Sequence, residues 1–260
     1  MVVEWTRTDR SNLFDFFNEF KVGRTVIFPA LSTNRGTIWV DSLESPSVVR
    51  LQIGIINAVT GDSLKPVAVD IIKMINPNEL VFFSDESWIE LLKKVYGDRF
   101  GIKKRTKMFP AQLNKNRLRG FIEKLPAEFI LEQLDLETIH NLSKDMLFHI
   151  MLFFGSPEEF TENGFGYCIK HEGRVVSIAS TLTPFKDEFE IEVRTENSAK
   201  YRQKGLATIV SSALILHALD KGYIPHWDAA NEISVKLALK LGYTDPFSWE
   251  AFYIKTPENS

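Results

Sequence analysis

Residues 202–208 read Arg-Gln-Lys-Gly-Leu-Ala-Thr and stand directly before a long apolar segment. Gly205 can take positive φ or let backbone come close to a ligand, and Ala207 is small. If the apolar segment is a helix, its first amides have no partner within the helix. Those amides and the positive end of the helix dipole make an anion site, to which Arg202 and Lys204 add formal charge. The pattern is not a P-loop, because no Gly-x-x-x-x-Gly-Lys-Ser/Thr occurs, and it lacks the Gly-x-Gly-x-x-Gly of dinucleotide folds.

Other reactive residue types offer less. His140, His149, His171, His217 and His226 form no close ligand pattern, so no metal site is expected. Cys168, the single cysteine, sits in a strand-like run and suits a buried structural thiol better than a nucleophile. No Gly-x-Ser-x-Gly elbow supports a serine hydrolase.

The elements that must position the anion turn are well punctuated. Residues 188–195 alternate strictly, with Phe189, Ile191 and Val193 on one face and Glu190, Glu192 and Arg194 on the other, as a strand requires. A strongly apolar helix is expected to follow Leu206-Ala-Thr and run to about Lys221 with Gly222 as its stop, then a strand over 223–227. A second helix over 231–241 closes at Gly242, and a strand over 249–254 follows. Upstream, 166–170 and 174–180 read as a hairpin, and 128–134 and 136–154 as a helical pair. A strand–helix–strand unit inside an otherwise antiparallel sheet implies one parallel crossover. In the first half, 13–20 and 86–96 read as helices, and 37–40, 67–72 and 80–83 as strands. Residues 48–59 suit a strand by composition and a helix by length. Seven basic residues and no acidic one lie between Gly101 and Ile122, which reads as a solvated linker face or an anion patch. The boundary is placed just beyond it, giving domains over about 1–125 and 126–260.

The chain of 260 residues is 44% hydrophobic and 25% charged, enough for one large or two small cores of mixed α and β structure. A net charge of -3 gives no global reason to expect nucleic acid or an anionic membrane as partner. No apolar run reaches the ~18 residues of a membrane span, and the amino end lacks an apolar signal core. A cytoplasmic protein, monomeric or homodimeric, is the expectation.

Val193-Arg-Thr, the span to Gly205-Leu-Ala-Thr, and the run from Asn231 through Ser234 to Lys240-Leu-Gly-Tyr243 together resemble the GNAT N-acetyltransferase superfamily. The stretch 164–168 and the run 223–231 look like a bacterial branch of two-part GNAT proteins. The resemblance covers roughly 128–254 and implies an α+β fold, a mixed sheet flanked by helices. The strand and helix run of the first half, ending in Val81–Tyr96, could be a degenerate half-copy of it; with no Arg-x-x-Gly-x-Gly turn it is not expected to bind CoA. It further implies acetyl-CoA as donor, with pyrophosphate on the amides of Gln203, Lys204, Gly205, Leu206, Ala207 and Thr208. The pantetheine arm would pair with the strand edge at Val193, Arg194 and Thr195, and Asn231 and Ser234 would hold the other side. The acceptor implied is a small-molecule primary amine, with Glu190 and then Glu192 as candidate bases. Many relatives carry a tyrosine acid four residues before the helix-ending glycine, where this chain has Ala238. Either the thiolate leaves unaided, as its pKa of about 8.5 permits, or another residue donates. Tyr201, Tyr243 and His226 are the alternatives. The competing reading is a non-catalytic acyl-CoA-binding or interaction module.

Overall fold

The computed structural model describes residues 1–257. In chain order the elements are β1 (Val3–Glu4), α1 (Arg24–Ser32), β2 (Thr37–Val40), β3 (Val48–Ile53), β4 (Ile56–Gly61), α2 (Pro66–Lys73), β5 (Leu80–Phe83), α3 (Glu86–Tyr96) and β6 (Phe100–Phe109). They continue with α4 (Lys115–Ile122), β7 (Phe129–Gln133), α5 (Leu136–His140), α6 (Lys144–Phe153), α7 (Pro157–Asn163), β8 (Gly166–His171) and β9 (Arg174–Thr181). Then come β10 (Glu188–Thr195), α8 (Leu206–Lys221), β11 (Ile224–Ala229), α9 (Glu232–Leu241) and β12 (Thr244–Ile254).

The fold is the expected mixed α/β type, and the chain divides into two compact units. One comprises Met1–Arg105 with Trp249–Ser260, the other Thr106–Ser248. The sequence reading set its boundary near 125 instead, on the basic stretch 101–122. That stretch is built into β6 and α4 rather than left as a linker. Leu118 and Met108 are buried there, so the lysines and arginines decorate elements whose apolar residues enter a core.

In the second unit the strands run β6-β11-β10-β9-β8-β7, and only β10 and β11 are parallel. The single crossover is α8, as the strand–helix–strand order requires. Leu206, Ile209, Val210, Leu214 and Ile215 of α8 are buried against Phe189, Ile191 and Trp227 in one cluster. Each such side chain contributes about 1.5–3 kcal/mol by leaving water. Gly222 ends α8 and Gly242 ends α9, both in the left-handed region, as their positions predict. At Gly242 a Cβ would also meet the Gln112 carbonyl oxygen at 3.0 Å.

In the first unit the order is β1-β2-β3-β4-β5-β12, with β4 and β5 parallel and α2 as their crossover. This repeats the β10–α8–β11–α9 plan as β4–α2–β5–α3, the element order expected of a half-copy. β4 and β5 stay paired from Ile56–Leu80 to Val59–Phe83. Beyond them the Trp88 indole donates to the Gly61 carbonyl at 3.1 Å, and the Ser63 and Ser87 hydroxyls bond at 2.6 Å.

Several elements differ from the sequence reading. Residues 67–72 form a helix, because Pro66 at its first position presets φ and outweighs the β-branched content. Residues 129–133 form a strand paired with β8, too short for a helix to gain from its few hydrogen bonds. Residues 48–59 resolve into β3 and β4, which turn at Gly54 with φ 56°. The segment 13–20 is a 3-10 helix, Ser11–Phe17, and α1 was not anticipated because Pro29 lies inside it.

Candidate active site

The turn before α8 has the conformation that an anion cradle needs. Gln203 and Gly205 both adopt positive φ, at 59° and 77°. Gly205 is the N-cap, and α8 has no side-chain cap bond at its start among the described residues. Helices α3, α4, α5, α6, α7 and α9 each have an Asp, Asn or Ser making one. The first intrahelical bond runs from the Ile209 amide to the Gly205 carbonyl at 3.0 Å, so the amides of Leu206, Ala207 and Thr208 precede it. Arg202, Gln203 and Lys204 are exposed around them. Arg202 bonds the Asn197 side chain, and Lys204 lies 3.8 Å from Glu128 and over the Phe129 ring. Tyr201 is buried beneath, its hydroxyl 3.4 Å from His171 Nδ1.

Beside this turn the sheet opens. β10 and β11 are in register at Glu188–Ile224, Phe189–Pro225 and Glu190–His226, and nowhere beyond among the described residues. From Trp227 onward β11 pairs with β6, while Ile191, Glu192, Val193, Arg194 and Thr195 pair only with β9. The two parallel strands thus part like a fork. The β11-facing backbone edge of β10 beyond Glu190 is left for a ligand that can pair like a strand.

On the far arm of the fork, Asn231 caps α9 by accepting from the Ser234 amide at 3.0 Å. The Ser234 hydroxyl accepts from the Trp227 indole at 3.0 Å, and Trp227 is buried against Tyr243. Ala238, in the position of the family tyrosine, is fully buried. Tyr243 donates to the Pro225 carbonyl at 3.0 Å. Burial, then the Glu190 charge, raises its pKa well above the ordinary phenol value, so it stays a neutral structural donor.

The carboxylate face of β10 meets α6. Glu192 Oε1 lies 3.2 Å from Arg194 Nε and 3.3 Å from His149 Nδ1, and Arg194 Nη1 lies 3.0 Å from Asp145. Glu192 is therefore committed to a cluster. The Arg194 side chain is committed too, leaving its backbone for the fork. Burial, then the Arg194 charge, pushes His149 down to about 4, so the folded state holds it neutral, with Nδ1 accepting from Arg194. An unfolded imidazole takes up its proton as pH falls through about 6.5. The unfolded state thus binds more protons between about pH 6.5 and 4, and stability rises with pH across that window. Replacing His149 with Gln is expected to flatten this acid-side loss by about 2 kcal/mol after solvent screening. Urea unfolding at about pH 7 and about pH 4.5 reads it directly. An unaltered slope would contradict the assignment.

The sequence missed this cluster because Asp145 and His149 are more than forty residues from Glu192 and Arg194. It also missed Glu188, which shares the alternation of Glu190 and bonds His226 Nε2 at 2.7 Å. Cys168 is buried and its thiol is pushed up to about 11 by burial, which fits an inert core residue. His217 packs on Phe165 and bonds the Tyr167 hydroxyl at 3.0 Å, also structural. No helix is long and apolar enough to cross a membrane among the described residues.

The fold recurs in known proteins. The chain is similar to an uncharacterised N-acetyltransferase, YdfB, of Bacillus subtilis (strain 168), at 25% identity over 66% of this chain and 65% of that protein. The match thus spans just under two thirds of that relative. A crystal structure of a GCN5-related N-acetyltransferase-like protein from Streptococcus suis 89/1591 superimposes with a TM-score of 0.79 at 27% identity, covering 94% of this chain and 97% of that one. A tandem GNAT protein from the clavulanic acid biosynthesis pathway shares the fold over 100% of both chains, with a TM-score of 0.56 at 10% identity. A family model described as GNAT acetyltransferase matches residues 15–252. With that match over nearly its whole length, the chain belongs to the GNAT acetyltransferase family.

Proposed function

We propose that the chain is an acetyl-CoA-dependent N-acetyltransferase that acetylates a primary amine of a small molecule by direct attack on the thioester. The observation that carries this reading is the parting of β10 and β11 beyond Glu190 and His226, beside the uncapped start of α8. The exposed amides and basic side chains of 202–208 suit a diphosphate, and the backbone edge at Val193, Arg194 and Thr195 suits an extended, amide-rich arm. Asn231 and Ser234 line the opposite arm. A backbone amide near Val193 would stabilise charge on the thioester oxygen. When bound, acetyl-CoA supplies the activated acetyl group; everything else is asked of the chain. Glu190, on the α6-facing side of β10, serves as the base that strips the incoming ammonium, directly or through one water. Glu192, nearer the thioester end and held by Arg194, is the second candidate.

The test is to mix acetyl-CoA with an amine panel (amino sugars, polyamines, amino acids, aminoglycosides) and follow free thiol. Thiol release is expected to require an amine. It is expected to fall by about 100-fold or more in Glu190→Gln while CoA binding persists, the usual size of a general-base effect. CoA binding without amine-dependent release would instead support the non-catalytic module.

A further inference from the structure

With alanine at position 238, the tyrosine that would protonate the leaving sulfur is missing, and its place is sealed in the core. The fork contains another proton carrier. His226 is the register partner of Glu190 and closes the last pair before β10 and β11 separate. Paired residues of a parallel ladder project to the same side, so His226 shares the face of Glu188 and Glu190. The His226 Nε2 lies 2.7 Å from Glu188 Oε2, and the His226 side chain is 15% exposed. A carboxylate only accepts, so the ring proton belongs on Nε2 and Nδ1 carries a lone pair. That Nδ1 is buried and has no hydrogen-bond partner among the described residues. A buried polar atom in that state is costly and calls for an explanation, a catalytic duty among them. The charged or titratable groups on this face are Glu188, Glu190, Glu192 and Arg194 of β10, Asp228 of β11, Lys107 of β6, the register partner of Asp228, and Asp145 and His149 of α6.

We propose that His226, oriented by Glu188, shuttles the proton from the attacking nitrogen to the departing sulfur. This rests on the acyltransferase reading above and adds to it the residue that replaces the missing acid. Glu190 first removes the ammonium proton. As the neutral amine nitrogen bonds to the carbonyl carbon, its next proton passes to the Nδ1 lone pair. As the carbon–sulfur bond breaks with its electron pair on sulfur, Nδ1 returns that proton to sulfur. The products are the amide and a free thiol, the imidazole ends neutral, and Glu190 releases the ammonium proton to water. Glu188 is a positioning residue: it holds the tautomer and steadies the transient imidazolium, as the carboxylate of a hydrolase triad does.

The experiment uses the full chain labelled with 15N-histidine, with the His226 ring assigned by its loss in His226→Gln. The Nε2-protonated tautomer is expected in the free protein, and CoA is expected to shift the His226 Nδ1 resonance more than that of any other histidine. Glu188→Gln should mix the tautomers. In turnover with the most reactive amine of the panel, His226→Gln should lower kcat by about 100- to 1000-fold and leave CoA affinity within about twofold. Glu188→Gln should lower kcat by about tenfold and displace the pH profile, which loss of packing alone would not do. A proton found on Nδ1 overturns the proposal. So does a ring that stays unmoved when calorimetry shows CoA bound, or a His226→Gln variant that keeps its kcat. Calorimetry showing no CoA binding overturns the acyltransferase reading and, with it, this one; the tautomer measured in the free protein separates the two failures.

Discussion

Gly205→Asp is expected to weaken CoA binding by about 100-fold or more while leaving the protein folded. Gly205 sits at φ 77°, and a Cβ built there meets nothing within 4 Å. Aspartate and asparagine enter the left-handed region more readily than other side-chain-bearing residues, so the folding cost is about 1 kcal/mol. The carboxylate would stand among the amides proposed to hold the diphosphate. Two negative charges about 5 Å away, at an effective dielectric constant of about 40, oppose a third by about 3 kcal/mol. That energy corresponds to about two orders of magnitude in Kd. Gly205→Asn has the same shape without the charge and should cost only a few-fold. Calorimetric titration of CoA into both variants separates electrostatics from shape. Equal losses in the two would mean that the turn does not face an anion.

Arg50→Ala is expected to be the most destabilising single change in the first unit, at about 3–5 kcal/mol, the size seen when one partner of a buried ion pair is removed. Arg50 is 1% exposed on β3. Its Nε donates to Asn57 Oδ1 at 2.9 Å and its Nη2 to Gln52 Oε1 at 3.0 Å. The guanidinium lies 4.3 Å over the Trp39 ring and 4.0 Å from Glu79 Oε2. Burial, partly offset by the Glu79 charge, pulls its pKa down to about 10, still charged at neutral pH. Removing it leaves the Glu79 carboxylate, which also accepts from Gln52 and Asn57 at 3.0 Å, without its cation. The double change Arg50→Met with Glu79→Gln should recover much of the loss, because an uncharged pair carries no desolvation penalty. Denaturant midpoints at constant slope report both effects. A loss below about 1 kcal/mol for Arg50→Ala would contradict the network's importance.

The parts of this molecule that were legible in the sequence are those governed by local periodicity and by glycine. The alternation of Phe189, Ile191 and Val193 named β10 and its buried face, and Gly205, Gly222 and Gly242 marked helix ends that the structure places in the left-handed region. The order of elements after Gly166 then fixed the single parallel crossover. Short segments failed where two local signals competed. At 66–73 the branched side chains argued for a strand and Pro66 for a helix start, and Pro66 prevailed. At 129–133 only pairing with β8 decides the conformation, and pairing is invisible to local pattern. The site was half legible for the same reason. The anion turn is contiguous, so its glycine and basic residues could be read together. The fork is not contiguous, since it depends on β11 leaving β10 at His226 to pair with β6. Nor could the sequence show that Glu192 is tied to His149 and Arg194, or that Glu188 holds His226, because those pairs form only across elements.

A crystal structure with CoA tests the central claim most directly. The account predicts the diphosphate against the backbone nitrogens of 203–208 and the pantetheine arm lying along Val193, Arg194 and Thr195 inside the fork. Coenzyme bound elsewhere on the chain, or a fork that stays empty at saturating CoA, would contradict it.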